Sequence, residues 1–331
     1  MRGKVDELQT NPEAGTEPMN RSNYRPRFEW QLRTRKLALG QRTLLMAIVN
    51  LTPDSFSGDG LLSAGGSVAL RLPAAAVKLA VATAIEAVDA GADIVDLGAE
   101  STRPNATPIT SEQEQERLLP VLEQLLRERP HTVVSVDTYH GSTARAAARA
   151  GAEIINDVSG LTWDPSMAKA VSQSGCGLVL MHARGRSGEW QTLPGLDGDA
   201  VMPVVFAGLC EQLVQAEAAG IRTERIVTDP GFGFGKRGAE NFALLARLGR
   251  LRELGRPLLV GLSRKGFLGD AVKPLQRHKE VDPGEARRIA TAAANVTAIL
   301  AGAHVLRVHD LQVAQEAAVI ADAVLSAASQ D

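Results

Sequence analysis

Eight short, largely apolar runs alternate with Ala-rich, helix-period stretches from residue 44 to residue 328, and this limits the folds open to the chain. The runs lie at 44–49, 94–97, 133–136, 154–155, 178–181, 226–228, 258–260 and 305–306. Between and after them the spacing predicts helices near 73–90, 111–129, 141–150, 164–174, 201–219, 239–254, 284–301 and 311–328. Strands that are apolar on both sides belong to a parallel sheet covered on both faces. Gly91, Gly151, Gly220, Gly255 and Gly302 each stand between a helix and the next strand, the usual place for a helix-ending glycine. Eight strand–helix units predict a single (β/α)8 TIM barrel over residues 28–328. A doubly wound open sheet shares the alternation, and periodicity alone does not separate the two.

Residues 1–27 are polar, carry Pro12, Pro18 and Pro26, and cannot bury enough apolar area to order themselves, so they read as a flexible tail. Trp30 to Leu39, with Gly40 as a turn, reads as a short β-ribbon before the first core strand. The net charge of −2 argues against nucleic acid or an anionic membrane as partner. Cys176 and Cys210 lack CxxC spacing, which argues against a disulfide framework or a zinc site. No apolar run approaches the roughly 18–20 residues of a spanning helix, and no signal-peptide core is visible. A cytoplasmic setting is the expectation.

The strand ends carry the chemistry. They read Asn50, then Asp96 with Glu100, Asp137, Asn156, His182, Asp229, Ser263 with Lys265, and Arg307 with His309. In a barrel these ends converge on one face, where catalysis sits. One such residue alone is more often a cap or a loop contact, and buried acids are costly without partners. Eight strands ending this way point to a site. The sharpest single segment is 229–236, DPGFGFGK, in which a strand ends on an acid and three alternating glycines keep the following loop tight and open.

Asp137, Asn156 and Asp229 offer two carboxylates and an amide, suited to a heterocycle with adjacent N–H donors such as a 2-amino-4-oxopyrimidine edge. Each charge-assisted contact is worth roughly 1.5–3 kcal/mol. Lys265 would reach the ring's acceptors. Arg307 and His309 follow the eighth strand, where barrels of this kind hold phosphate. Asn50 offers an oxygen to Mg2+, which uses few protein ligands when substrate phosphates share it.

With these residues in place, the chain strongly resembles the dihydropteroate synthases of the pterin-binding enzyme family. The matching runs are NLTPDSFS (50–57), GADIVDLGAESTRP (91–104), SVDT (135–138), GAEIINDVSG (151–160), LMH (180–182), DPGFGFGK (229–236), GLSRK (261–265) and RVHD (307–310). The resemblance implies that 6-hydroxymethyl-7,8-dihydropterin diphosphate and 4-aminobenzoate condense to 7,8-dihydropteroate and diphosphate, with Mg2+. It implies that Asp137, Asn156, Asp229 and Lys265 hold the pterin, and that Asn50 is the metal ligand. Thr102, Arg307 and His309 would contact the diphosphate, while Ser263, Pro104 and Phe234 would line the aminobenzoate site. Lys265, Arg307 and His309 are the implied catalytic groups. The resemblance further implies a homodimer, sulfonamide binding, and two loops, 51–66 and 99–108, that close over the substrates. A pterin-dependent methyltransferase and a non-catalytic pterin-binding paralogue are the alternatives. The first does not need the TPDSFS, STRP and SRK elements, and the second would have lost Arg307, His309 or Lys265. The chain departs from the family pattern at Gly58-Asp59-Gly60, at the long stretch 61–73, at Ala99, at Tyr139 and at Ala183-Arg184.

Overall fold

The computed structural model describes residues 25–52, 72–101, 107–278 and 283–328. A two-stranded antiparallel ribbon, β1 (Phe28–Gln31) and β2 (Lys36–Leu39), precedes β3 (Leu44–Asn50). Parallel strands follow in chain order: β4 (Ile94–Gly98), β5 (Val134–Asp137), β6 (Ile154–Asp157), β7 (Gly177–Met181), β8 (Ile226–Asp229), β9 (Leu259–Val260) and β10 (Val305–Val308). The hydrogen-bonded order is β8-β7-β6-β5-β4-β3-β10-β9. A parallel bridge from Thr228 to Leu258, with Thr228 N–H donating to Pro257 O at 2.9 Å, joins the two ends. The sheet is thus a (β/α)8 barrel, and the open-sheet alternative is excluded. The outer ring contains α1 (Ala74–Asp89), α2 (Ser111–Glu128), α3 (Gly141–Ala150), α4 (Met167–Ser174) and α5 (Gly198–Ala218). It continues with α6 (Gly238–Ala246), α7 (Gly266–Val272), α8 (Pro283–Leu300) and α9 (Leu311–Ala328). The helix expected over 239–254 divides, because α6 ends at Ala246 and the chain continues as a 3-10 turn over Leu248–Leu254.

The two-residue period of the strands sorts the core into two environments. Inward-facing Leu44, Met46, Ile94, Val133, Ile154, Val179, Val227, Leu259 and Val305 cluster with Trp30, Leu32 and Leu39 of the ribbon. The ribbon therefore plugs the N-terminal mouth of the barrel with apolar side chains. Continued towards the other mouth at the same period, the inward positions become Asn50, Asp96, Asp137, Asn156, Asp229 and Arg307. Outward-facing residues such as Val95, Leu97, Val134 and Val136 pack beneath α1 and α2. Leu258, Val260, Leu306 and Val308 do the same on the opposite side. Helix α2 starts on a capping box, in which Thr110 and Gln113 exchange side-chain and backbone hydrogen bonds.

Of the stretch read as a tail, residues 1–24 lie outside the described residues, while Arg25 is buried at the plugged end. Its guanidinium donates to Thr43 Oγ1 at 2.8 Å, to Ala303 O at 3.0 Å and to Asp322 Oδ1 at 2.9 Å. Helix α9 has a mean hydropathy of 1.2 over 18 residues and does reach the length and composition of a membrane span, contrary to the sequence reading. It lies beside α8 in the outer ring and contributes Ala314, Ala318, Ala321 and Leu325 to the core.

Trp30 is fully buried, and its indole Nε1–H donates to Arg225 O at 2.8 Å. Trp30→Ala removes the largest side chain of the plug and leaves that carbonyl without its donor. It should cost about 3–5 kcal/mol of unfolding free energy, measured by urea titration.

Candidate active site

Arg307 organises the polar mouth. Its Nε–H donates to Asp96 Oδ2 and its Nη2–H to Asp137 Oδ2, each at 2.6 Å. Asn156 Nδ2 donates to the same Asp96 oxygen at 3.1 Å, while the buried Asp96 Oδ1 has no hydrogen-bond partner among the described residues. Burial works against charge on Arg307, but the facing carboxylates of Asp96 and Asp137 outweigh it and raise its pKa. Burial likewise raises the pKa of Asp137, and Arg307 opposes that rise. The sequence reading noted Asp96 as a strand end but gave it no role. Its inward phase, shared with Ile94, was the available signal.

Across the mouth, Asp229 is buried and accepts the Gly231 N–H at 2.7 Å, which turns the chain sharply into the glycine loop. Burial raises its pKa, against that hydrogen bond and the Lys265 charge. Gly231 has φ of +66°, and a Cβ there would stand 2.0 Å from His182 O, so only glycine fits. Inside the loop the buried Lys236 ammonium donates to the carbonyls of Gly231 at 2.8 Å and of His182 and Phe234 at 3.1 Å. Burial pushes its pKa down to about 7. Asn241 Oδ1 accepts the Gly233 N–H at 2.8 Å, and its amide donates to Lys236 O at 3.0 Å. Sequence reasoning quoted Lys236 as part of a motif and missed its work as the loop's internal clamp.

Lys265 lies with its Nζ 4.3 Å from the Phe234 ring centroid, over the ring. Burial lowers its pKa to about 8, with Asp229 opposing. The preceding residue, Arg264, has φ of +60°, a left-handed conformation unfavourable for a side chain of this size. That strain sits between Ser263 and Lys265. Ser263 Oγ accepts the His309 N–H at 3.2 Å and lies 3.2 Å from His309 Nδ1, so the residues expected at the aminobenzoate and diphosphate positions touch each other. Asn50 ends β3 facing Asp137. A Cβ added to Gly98 would fall 3.9 Å from Asn50 Oδ1 and 3.7 Å from Asp137 Oδ2, so this glycine keeps space open between the two. No group of three or more His, Cys, Asp or Glu side chains suited to a metal occurs among the described residues. The neutral oxygen of Asn50 fits a cation such as Mg2+ held mainly by substrate phosphate.

Thr102 and Pro104 lie outside the described residues, as does most of the loop over 51–66. His182 does not join the site. Burial and the nearby Lys236 and Arg184 push its pKa down to about 2, so it is a neutral packing group against Gly208. Glu100 is held by Tyr139, whose hydroxyl donates to Oε1 at 2.7 Å. Behind it Glu114 is buried and accepts from Thr138 Oγ1 at 2.8 Å.

Burial raises Glu114 from its ordinary 4.5 to about 7. A carboxyl whose folded pKa lies above its unfolded value adds stability below the unfolded value and loses it as pH rises through the folded one. Stability should therefore decline from pH 4.5 to 7 through this group. Glu114→Gln should flatten that limb in urea titrations run across the same range.

The chain is similar to known proteins over most of its length. Residues 46–309 match the family model described as pterin binding enzyme. The dihydropteroate synthase of Escherichia coli K12 is 38% identical over 283 residues, covering 86% of this chain and 92% of its own. The dihydropteroate synthase of Xanthomonas albilineans, solved with 4-aminobenzoic acid, is 39% identical with a TM-score of 0.74, covering 91% of this chain and 98% of its own. That of Yersinia pestis, solved as a sulfonamide drug complex, is 34% identical with a TM-score of 0.77, covering 90% and 100%. The chain belongs to the pterin-binding enzyme family, among its dihydropteroate synthases.

Proposed function

We propose that this protein condenses 6-hydroxymethyl-7,8-dihydropterin diphosphate with 4-aminobenzoate, giving 7,8-dihydropteroate and diphosphate. The observation that carries the reading is the Arg307 guanidinium, whose adjacent N–H groups meet Asp96 and Asp137. A guanidinium presents the same run of donors as a 2-amino-4-oxopyrimidine edge, so the mouth already holds a group of that pattern. Asp137, Asn156 and Asp229 would take the pterin edge, and Lys265 its acceptors. The N–H groups of Arg307 not used by the carboxylates, together with His309 and Thr102, would contact the diphosphate. Phe234, Pro104 and Ser263 would line the place of the arylamine, and the aminobenzoate carboxylate would lie near Ser263 at the start of α7.

The C–O bond to the diphosphate breaks and its electron pair leaves with that anion, whose developing charge Arg307 and His309 stabilise. The pterin ring delocalises the positive charge left on the exocyclic carbon. The arylamine nitrogen, neutral near pH 7, forms the new C–N bond and gives up a proton to water. Mg2+, held by Asn50 and the diphosphate, would neutralise phosphate charge. The setting in this reading is the cytoplasm, where Cys176 and Cys210 stay reduced. A homodimer is part of the reading as well. Ile289 of α8 and Val319, Ile320 and Val324 of α9 are each more than half exposed on adjacent outer helices, an apolar face suited to a second copy.

Diphosphate release should require both substrates, and EDTA should suppress it. Lys265→Ala and Asp229→Asn should each lower kcat/KM at least about 10-fold, since each removes a charge-assisted contact. Pterin affinity should decline above about pH 8 as the Lys265 ammonium is lost. Release without arylamine, or unchanged turnover and pterin affinity in both variants, would overturn the reading. Light scattering should give a dimer mass for the native chain, and Ile320→Asp should shift it to monomer; a native monomer refutes the apolar-face dimer.

A further inference from the structure

The loop at 183–197, between β7 and α5, does more than connect them. Its backbone and side chains zip onto the glycine loop. Arg184 N–H donates to Phe234 O at 3.3 Å, and the Arg184 guanidinium donates to Gly235 O at 3.1 Å and to Pro194 O at 3.0 Å. Gly235 has φ of +68°, and a Cβ there would stand 2.5 Å from Arg184 O, so the two loops approach backbone to backbone. Arg237 donates to Trp190 O at 2.9 Å from the other side. These contacts seat Trp190, which is only 7% exposed and whose indole N–H donates to Gly185 O at 3.1 Å. The indole lies 5.2 Å from the Phe234 ring at an interplanar angle of 79°. Phe234 is therefore held by two partners, the perpendicular indole and the Lys265 ammonium 4.3 Å from its centroid.

We propose that Trp190 is a positioning residue for the arylamine substrate, fixing the orientation of the Phe234 ring. This rests on the synthase function proposed above. A half-buried phenylalanine on a glycine-rich loop has other staggered rotamers open to it, and a perpendicular aromatic neighbour selects one. The pterin-edge residues sit on strands β5 and β6 and at the end of β8, clear of this contact, and the charges of Asp229 and Asp137 still attract Lys265 when the ring moves. Loss of the indole should thus disturb the second substrate and spare the first. A merely structural role would affect both alike or act only on stability.

In Trp190→Leu the KM for 4-aminobenzoate should rise about 10-fold, a modest misplacement effect, while pterin Kd and kcat stay within about twofold. Trp190→Phe, which keeps a perpendicular ring, should restore most of the loss. Equal changes in both substrates' constants, no change in either, or no difference between the Leu and Phe variants overturns the proposal. If Trp190→Leu does not fold, Trp190→Met fills the space without a ring and carries the same comparison. A second measurement needs no turnover. Lying over a ring face, the Lys265 ε-methylene protons should resonate upfield in the native protein, and Trp190→Leu should return them towards the ordinary lysine position. An unmoved signal counts against the proposal. Native protein with no arylamine-dependent diphosphate release would refute the synthase reading, and the Lys265 signal would still decide whether Trp190 positions the ring.

Discussion

The charge balance around Arg307 is the constraint on which the polar mouth depends. Asp96, Asp137 and Asp229 crowd one cavity, and like charges in a buried site oppose one another's ionisation. Arg307, within hydrogen-bonding distance of two of them, supplies the opposing charge and works against the burial-driven rise at Asp137. Arg307 comes from the last strand and its partners from β4 and β5, 211 and 170 residues earlier. The sheet sets β10, β3, β4 and β5 side by side, and its curvature turns their ends towards one side chain.

Beneath the charged layer the same strands present mainly apolar side chains, with the buried Ser135 among them, and the ribbon seals the far end with Trp30. This division gives the site a largely apolar floor, which strengthens electrostatic interactions above it. The two sides of the mouth differ in how they are held. The glycine loop is tied internally by Lys236 and Asn241 and externally by Arg184 and Arg237. On the facing side, the described anchor is the Tyr139–Glu100 hydrogen bond at the root of the second loop.

Departures from the family pattern acquire physical meaning at these places. Tyr139 supplies the hydroxyl that holds Glu100, and Arg184 supplies the guanidinium that grips Gly235. Ala99 is fully buried, and its carbonyl accepts from Arg117 at 3.3 Å. The acid shift at Asp59 and the long stretch 61–73 fall almost wholly outside the described residues.

The sequence by itself determined the alternation of strands and helices, because burial on both faces imposes largely apolar runs that are visible locally, while the closure that separates a barrel from an open sheet came from the tertiary structure. It also determined which polar groups end the strands, since phase along a strand is a local property. It could not say which of those groups face one another. His182 ends a strand as Asp229 does, yet it packs neutrally while Asp229 faces the mouth. Nor could it show that Lys236 clamps its loop from within, that Ser263 touches His309, or that Trp190 stands against Phe234. Those outcomes belong to tertiary structure because they depend on neighbouring strand ends meeting in space, as Lys236 reaches His182 O across 54 residues and Ser263 reaches His309 across 46.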